Sequence, residues 1–200
     1  MKKDILKLGL ALALFAAGAC VALAMVYSVT KPTIEGHEAR NLEASLKEIF
    51  PEADAFESLN GALSSGSAGV TVTGAWKASK GGATLGLAIR TLGKSYGGDA
   101  AMLVGVRTDR RLSGVRILTL SDTPGLGANA TSPTYFVEKA SKTTFPGQFK
   151  DKPVSDPFEV KNDVSAITAS TITSKALTDM AKAAAQAGAA WLEKAAAGGM

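Results

Sequence analysis

The stretch from Leu8 to Val29, LGLALALFAAGACVALAMVYSV, runs for 22 residues without a charge. At about 1.5 Å of rise per residue, a helix of that length covers the roughly 30 Å hydrocarbon core of a bilayer. Lys2, Lys3 and Lys7 flank its start, and only Lys31 closely follows its end. The positive-inside bias therefore predicts one span of the inner (cytoplasmic) membrane, with a cytoplasmic N-terminus and a periplasmic or otherwise extracytoplasmic domain after Thr30. A cleaved signal peptide is the competing reading, because Ala17-Gly18-Ala19 and Ala22-Leu23-Ala24 both satisfy the small-x-small rule. The apolar run continues past either site, however, and exceeds the about 7 to 15 residues of a signal-peptide core. Cys20 has Ala17 where a lipoprotein signal would place Leu, and reads as an ordinary apolar residue of the span.

The exported part carries little chemistry of its own. The net charge of +4 is half due to the N-terminal lysines, leaving 19 basic and 17 acidic residues from Thr30 onward. That interspersed balance gives no electrostatic footprint for nucleic acid. One Cys excludes an intrachain disulfide and a cysteine-ligated zinc or iron–sulfur site. The one His, His37, sits beside the span, so neither a Ser-His-Asp constellation nor a His-rich metal site is expected in the domain. No strand-linked Gly-x-Gly-x-x-Gly fingerprint is present. No catalytic residue or metal ligand is assigned, and redox chemistry would have to come from a cofactor.

Three segments are expected: residues 1–30, the cytoplasmic N-terminus and span; 31–69, a juxtamembrane helix and linker; and 70–200, the ligand-binding domain. Leu42, Leu46, Ile49 and Phe50 form one stripe of an amphipathic helix that Pro51 stops, and 60–69, NGALSSGSAG, reads as a flexible break. Four runs at 70–76, 83–91, 100–107 and 114–120 alternate or are rich in β-branched residues and are punctuated by turns, predicting an antiparallel meander. A short helix is expected at 132–141, a strand at 156–160 and a terminal helix from Lys175 to Ala197 lying across the sheet. The fold class is α+β.

Three features point to a ligand. In SDTPGLG (121–127), Pro124 and Gly125 fit the central positions of a type II turn, and Gly127 permits close backbone approach. In SYGGD (95–99), Tyr96 stands beside two glycines. ITASTITS (167–174) packs five hydroxyls into eight positions ahead of an Ala-rich helix, more than the one an N-cap requires.

Together and in order, these segments resemble the flavin-binding domain shared by the G subunit of the Rnf electron-transport complex and the C subunit of the sodium-pumping NADH:quinone oxidoreductase. The likeness takes in the span, Phe50-Pro51, Tyr96-Gly97-Gly98, Gly114-Val115, Thr123-Pro124-Gly125-Leu126-Gly127, Phe145 through Lys150, and Thr168 through Ser174. It implies an electron-relay subunit of an ion-translocating complex, with FMN joined to a threonine by its phosphate through a separate flavin transferase. The family motif Ser/Thr-Gly-Ala-Thr falls on Thr168, Ala169, Ser170 and Thr171, which makes Thr171 the attachment residue. Ala169 replaces the usual Gly, Ser170 the usual Ala, and Ser165 stands where an Asp often precedes the motif. A phosphate at Thr171 would meet the N-terminus of the last helix, where Thr173 and Ser174 are expected to cap or to bond its oxygens. The implied partners are the other members of the complex, the transferase and the membrane. The rival reading is a membrane-anchored extracytoplasmic binding module without redox activity.

Overall fold

The computed structural model describes residues 2–59, 63, 67 and 69–196; most of the expected 60–69 break lies outside them. Helix α1 runs from Lys2 to Ile49 and passes through Pro32 without ending. The chain up to Ala44 forms one unit, and the chain from Ser45 onward forms another. In the first unit, Leu8, Leu10, Tyr27 and Val29 are all exposed, on every side of the helix. The helix is long and apolar enough to cross a membrane.

In the second unit, five strands form one antiparallel meander in sequence order: β1 (Ala55–Ser58), β2 (Val70–Lys80), β3 (Ala83–Ser95), β4 (Gly98–Arg107) and β5 (Leu112–Thr119). Helix α2 (Thr171–Ala196) packs on β3 and β4. Leu177, Met180, Ala181 and Ala184 of α2 join Leu87, Ile89, Met102, Val104 and Val106 in a single core. Gly188 lets the helix come close, since a Cβ there would lie 2.8 Å from Val106.

The opposite face of the sheet carries Ala78, Ala88 and Leu103, and is covered by Ile49 and Phe50 at the end of α1. Gly86 and Gly105 make room for them: a Cβ would come 3.0 Å from Phe50 Cζ at the first and 3.1 Å from Phe50 Cε2 at the second. Residues from Ser45 onward thus complete the sheet domain, which starts well before residue 70. Burial of the central strands on both faces explains why β4 reads as a continuous apolar run rather than a clean alternation. The result is the α+β architecture expected, an antiparallel sheet packed by helices.

The segment after β5 departs from expectation. Residues 132–141 form no helix; a 3₁₀ turn at Gly127–Thr131 precedes a small hairpin of β6 (Phe136–Glu138) and β7 (Thr143–Thr144). Local hydroxyl bonds compete with a helix there, with Ser141 Oγ donating to Glu138 Oε2 at 2.9 Å and Ser132 Oγ accepting the Thr134 N–H at 3.3 Å. Residues 156–160 form no strand either. Phe158 takes φ +51° and stacks on Phe149, while Asp163 accepts the N–H groups of Phe158 and Glu159 at 3.1 and 2.6 Å. Finally, α2 starts at Thr171, a turn earlier than Lys175, because the Ser170 carbonyl already accepts the Ser174 N–H at 3.0 Å.

Candidate functional site at the start of the terminal helix

The loop after β5 turns back through Thr123–Leu126. The Leu126 N–H donates to the Thr123 carbonyl at 3.1 Å, and Gly125 at the third position has φ +79°, the conformation that a type II turn requires there. Asn129 Nδ2 fixes the turn by donating to the Gly125 carbonyl at 2.8 Å. This loop meets the start of α2 across a cavity of about 630 Å³, a volume within the range of small-molecule and cofactor sites.

Eight of the twelve sequence-predicted site residues line that cavity: Tyr96, Thr123, Leu126 and Gly127 from one side, Ala169, Ser170, Thr171 and Thr173 from the other. Thr171 is the exposed first residue of α2. Thr168 and Gly125 line an adjoining cavity of about 600 Å³ that shares Leu126 and Ala169. The Thr168 N–H is held at 3.1 Å by the Tyr135 hydroxyl. Pro124 shapes the turn, and Ser174 is not at the surface at all. It is fully buried, donates to the Ser170 carbonyl at 2.9 Å and accepts the Ile167 N–H at 2.9 Å.

Thr173 likewise points inward. Its hydroxyl donates to Asp122, a buried carboxylate absent from the sequence-level candidates. Asp122 Oδ2 also accepts from Ser95 Oγ at 2.7 Å, and Oδ1 accepts the Gly97 N–H at 2.7 Å. Gly127 makes this possible, because a Cβ there would collide with Asp122 and Thr173. Burial would raise the Asp122 pKa, but the bonds from Thr173, Ser95 and Gly97 prevail and hold it below the ordinary carboxylate value. The one sequence signal for Asp122 is an acid immediately before a Thr-Pro-Gly turn. Its partners lie 25 to 51 residues away in the chain.

Two further features mark the helix start. Ala169 sits at φ +58°, a left-handed conformation that costs a residue with a Cβ about 1 kcal/mol or more. Ser170 Oγ is buried without a partner among the described residues. No acid lies within the first turn itself, whose leading N–H groups have no intrahelical partner; the carboxylate at this helix start is Asp122, bonded to Thr173. The arrangement offers an exposed hydroxyl beside free N–H donors, at the edge of a cavity where Tyr96, Leu126 and Ile172 present apolar surface and Asp122 a carboxylate.

The chain is similar to known proteins over most of its length. The FMN-binding domain family matches residues 95–186, and the RnfG N-terminal region matches residues 1–49. The G subunit of the proton-translocating ferredoxin:NAD(+) oxidoreductase complex of Clostridium ljungdahlii is 33% identical over 171 residues, 82% of this chain and 80% of that protein. The G subunit of the Na(+)-translocating ferredoxin:NAD(+) oxidoreductase complex of Acetobacterium woodii is 31% identical over 189 residues, 88% of this chain and 87% of that one. The crystal structure of Shewanella oneidensis NqrC matches 72% of this chain and 73% of its own at 15% identity and a TM-score of 0.47. The family matches define a protein with an FMN-binding domain that follows an N-terminal apolar helix. Within that class, the chain belongs to the RnfG family, the G subunits of ion-translocating oxidoreductase complexes.

Proposed function

We propose that this protein is the membrane-anchored electron-relay subunit of an Rnf-type ion-translocating complex, carrying FMN esterified through its phosphate to Thr171 by a flavin transferase. The observation that carries the reading is Thr171 itself, an exposed hydroxyl at the first position of α2, on the rim of a cavity walled by the Thr123–Gly127 loop.

The residues fit such a group. Tyr96, Leu126 and Ile172 offer exposed apolar surface to a flat ring. Helix geometry directs the first-turn N–H groups toward an anion at Thr171. FMN, when bound, supplies reversible uptake and release of electrons. The chain's own part is to hold and orient. Ser174 and Thr173, bonded inside, fix the first turn of α2 and so the position of the Thr171 hydroxyl. Pro124 and Gly125 set the shape of the facing loop. A phosphate tether leaves the ring end free to meet donors and acceptors among the other members of the complex. The N-terminal lysines favour a domain outside the cytoplasm, where a covalent bond prevents loss of the cofactor.

Thr171→Val keeps side-chain size and β-branching while removing the oxygen. Co-expressed with a flavin transferase, the wild-type chain should give a fluorescent band in a denaturing gel, with the FMN mass on the tryptic peptide ending at Lys175. The variant should fold and give no band. FMN found on Ser170 or Thr173 would move the attachment residue, and a colourless wild-type protein would favour the binding-module reading.

A further inference from the structure

Thr171 borders two cavities. On one side is the site described above, with the Asp122 carboxylate in its wall. On the other is a cavity of about 480 Å³ to which Lys161, Lys175 and Lys182 contribute. Three ammonium groups there stand against two carboxylates, Glu159 and Asp179. Among the described residues, no ion pair involves any of the three lysines.

The lysines are placed for a charge at Thr171. Thr171, Lys175 and Lys182 recur at i, i+4 and i+11, so they share one face of α2. Side chains on a helix lean toward its N-terminus, which carries the Lys175 ammonium back toward Thr171. Lys161 enters from the facing loop, held at φ +72° with its N–H donating to the Val164 carbonyl at 2.8 Å. A cation one turn from a helix N-terminus is unfavourably placed with respect to the helix dipole; the acids near it are Asp122, turned to the other cavity, and Asp179, one turn further along α2. The buried Ser170 hydroxyl, without a partner among the described residues, lies on the other side, in the wall of the Asp122 cavity.

We infer that the two cavities divide the ligand: the phosphate at Thr171 turns toward Lys161 and Lys175, and the ring lies on the Tyr96 and Leu126 side. This rests on Thr171 as the attachment residue. The buried Asp122 carboxylate excludes a phosphate from its own cavity by like-charge repulsion while tolerating a neutral ring. The lysines provide the opposite field. Lys161 and Lys175 are positioning residues for the phosphate and take no part in electron transfer.

The test uses the full chain in detergent, with and without covalent flavin. Flavinylation should raise the melting temperature of the wild type at low salt, and the gain should shrink as salt rises. In Lys161→Gln/Lys175→Gln the gain should be lost. Lys139→Gln, on the cavity beyond Ala169, should keep it. An undiminished gain in the double variant, or its loss in Lys139→Gln instead, would overturn the assignment. If the double variant is not loaded, Lys161→Arg/Lys175→Arg decides: restored loading supports a required cation, and unrestored loading overturns it. A wild-type chain that never acquires covalent flavin would fail at the earlier step, at Thr171 itself.

Discussion

Asp122 and Asp163 are two shielded carboxylates, each accepting bonds from backbone and side-chain donors, yet they do different work. Asp163 accepts from Lys152 Nζ at 2.7 Å and from two backbone N–H groups. Lys152, only 9% exposed, also reaches Asp156 at 2.9 Å and lies 5.4 Å from the centre of the Phe158 ring. The charge there is neutralised and the cluster closes a loop. Asp122 has only hydroxyl and N–H partners, so its negative charge faces the cavity uncompensated. A salt bridge locks scaffold, whereas an unneutralised carboxylate imposes a field on whatever enters the site. The segment between the two clasps, from Asp163 to Thr173, contains Thr171.

The largest effect is expected at the neutralised clasp. Lys152→Ala would leave Asp163 and Asp156 facing each other without their shared cation, a loss of about 3 kcal/mol for a mostly buried pair. Chemical denaturation should show it. Burial alone would raise the Asp163 pKa, but Lys152 and the N–H groups of Glu159 and Phe158 bring it below the ordinary value. A depressed carboxylate contributes stability above its unfolded pKa of about 3.9 and loses it as pH falls through the folded value. Stability of the wild type should therefore drop below about pH 4, and less steeply in Asp163→Asn. An unchanged acid limb in that variant would remove Asp163 from the account.

At the uncompensated clasp the expected cost is smaller. Asp122→Asn can keep its oxygen on the Gly97 N–H and turn its N–H₂ to the Ser95 and Thr173 hydroxyls, which then accept; the charge-assisted bonds become neutral ones, a loss of about 2 kcal/mol in all. Thr173→Val, which as a simple helix cap would cost about 1 kcal/mol, instead deprives a buried carboxylate of a donor. It should approach the Asp122→Asn value. A double-mutant cycle measures their coupling, and strict additivity would mean that the two side chains do not act together.

The contrast also shows what a sequence reveals. Strands β2 to β5 are legible because short-range alternation and glycine turns encode them, and the cavity is legible because Thr123–Gly127 and Thr168–Thr171 are contiguous motifs. Strand β1 is not: four residues, Ala-Phe-Glu-Ser, carry too little pattern, and it exists because β2 extends far enough to pair with it. Asp122 and Lys152 escape for another reason. Their roles come from partners distant along the chain, and a lone acid or lysine in a loop looks the same whether solvated or buried. Phe158 misleads because the alternation of Phe158, Glu159 and Val160 suggests a strand, while Phe158 takes φ +51° where it packs against Phe149 and donates to Asp163.

The smallest effect lies on the segment joining the two clasps, and it has the opposite sign. Ala169 is held at φ +58° with its side chain exposed, so replacing it with Gly removes conformational strain without opening a cavity. Against that gain stands the larger entropy of a glycine in the unfolded chain, leaving a net stabilisation of about 0.5–1 kcal/mol. Gly125, at φ +79° across the cavity, is the matching control. A Cβ there would meet nothing within 4 Å, so the effect of Gly125→Ala is conformational alone, a loss of about 1 kcal/mol. Thermal melts should therefore move up by about 2–4 °C or slightly less for Ala169→Gly and down by a similar amount for Gly125→Ala. Two downward shifts would show that Ala169 is stabilised by contacts its backbone geometry does not reveal, and that the joint between the clasps is not strained.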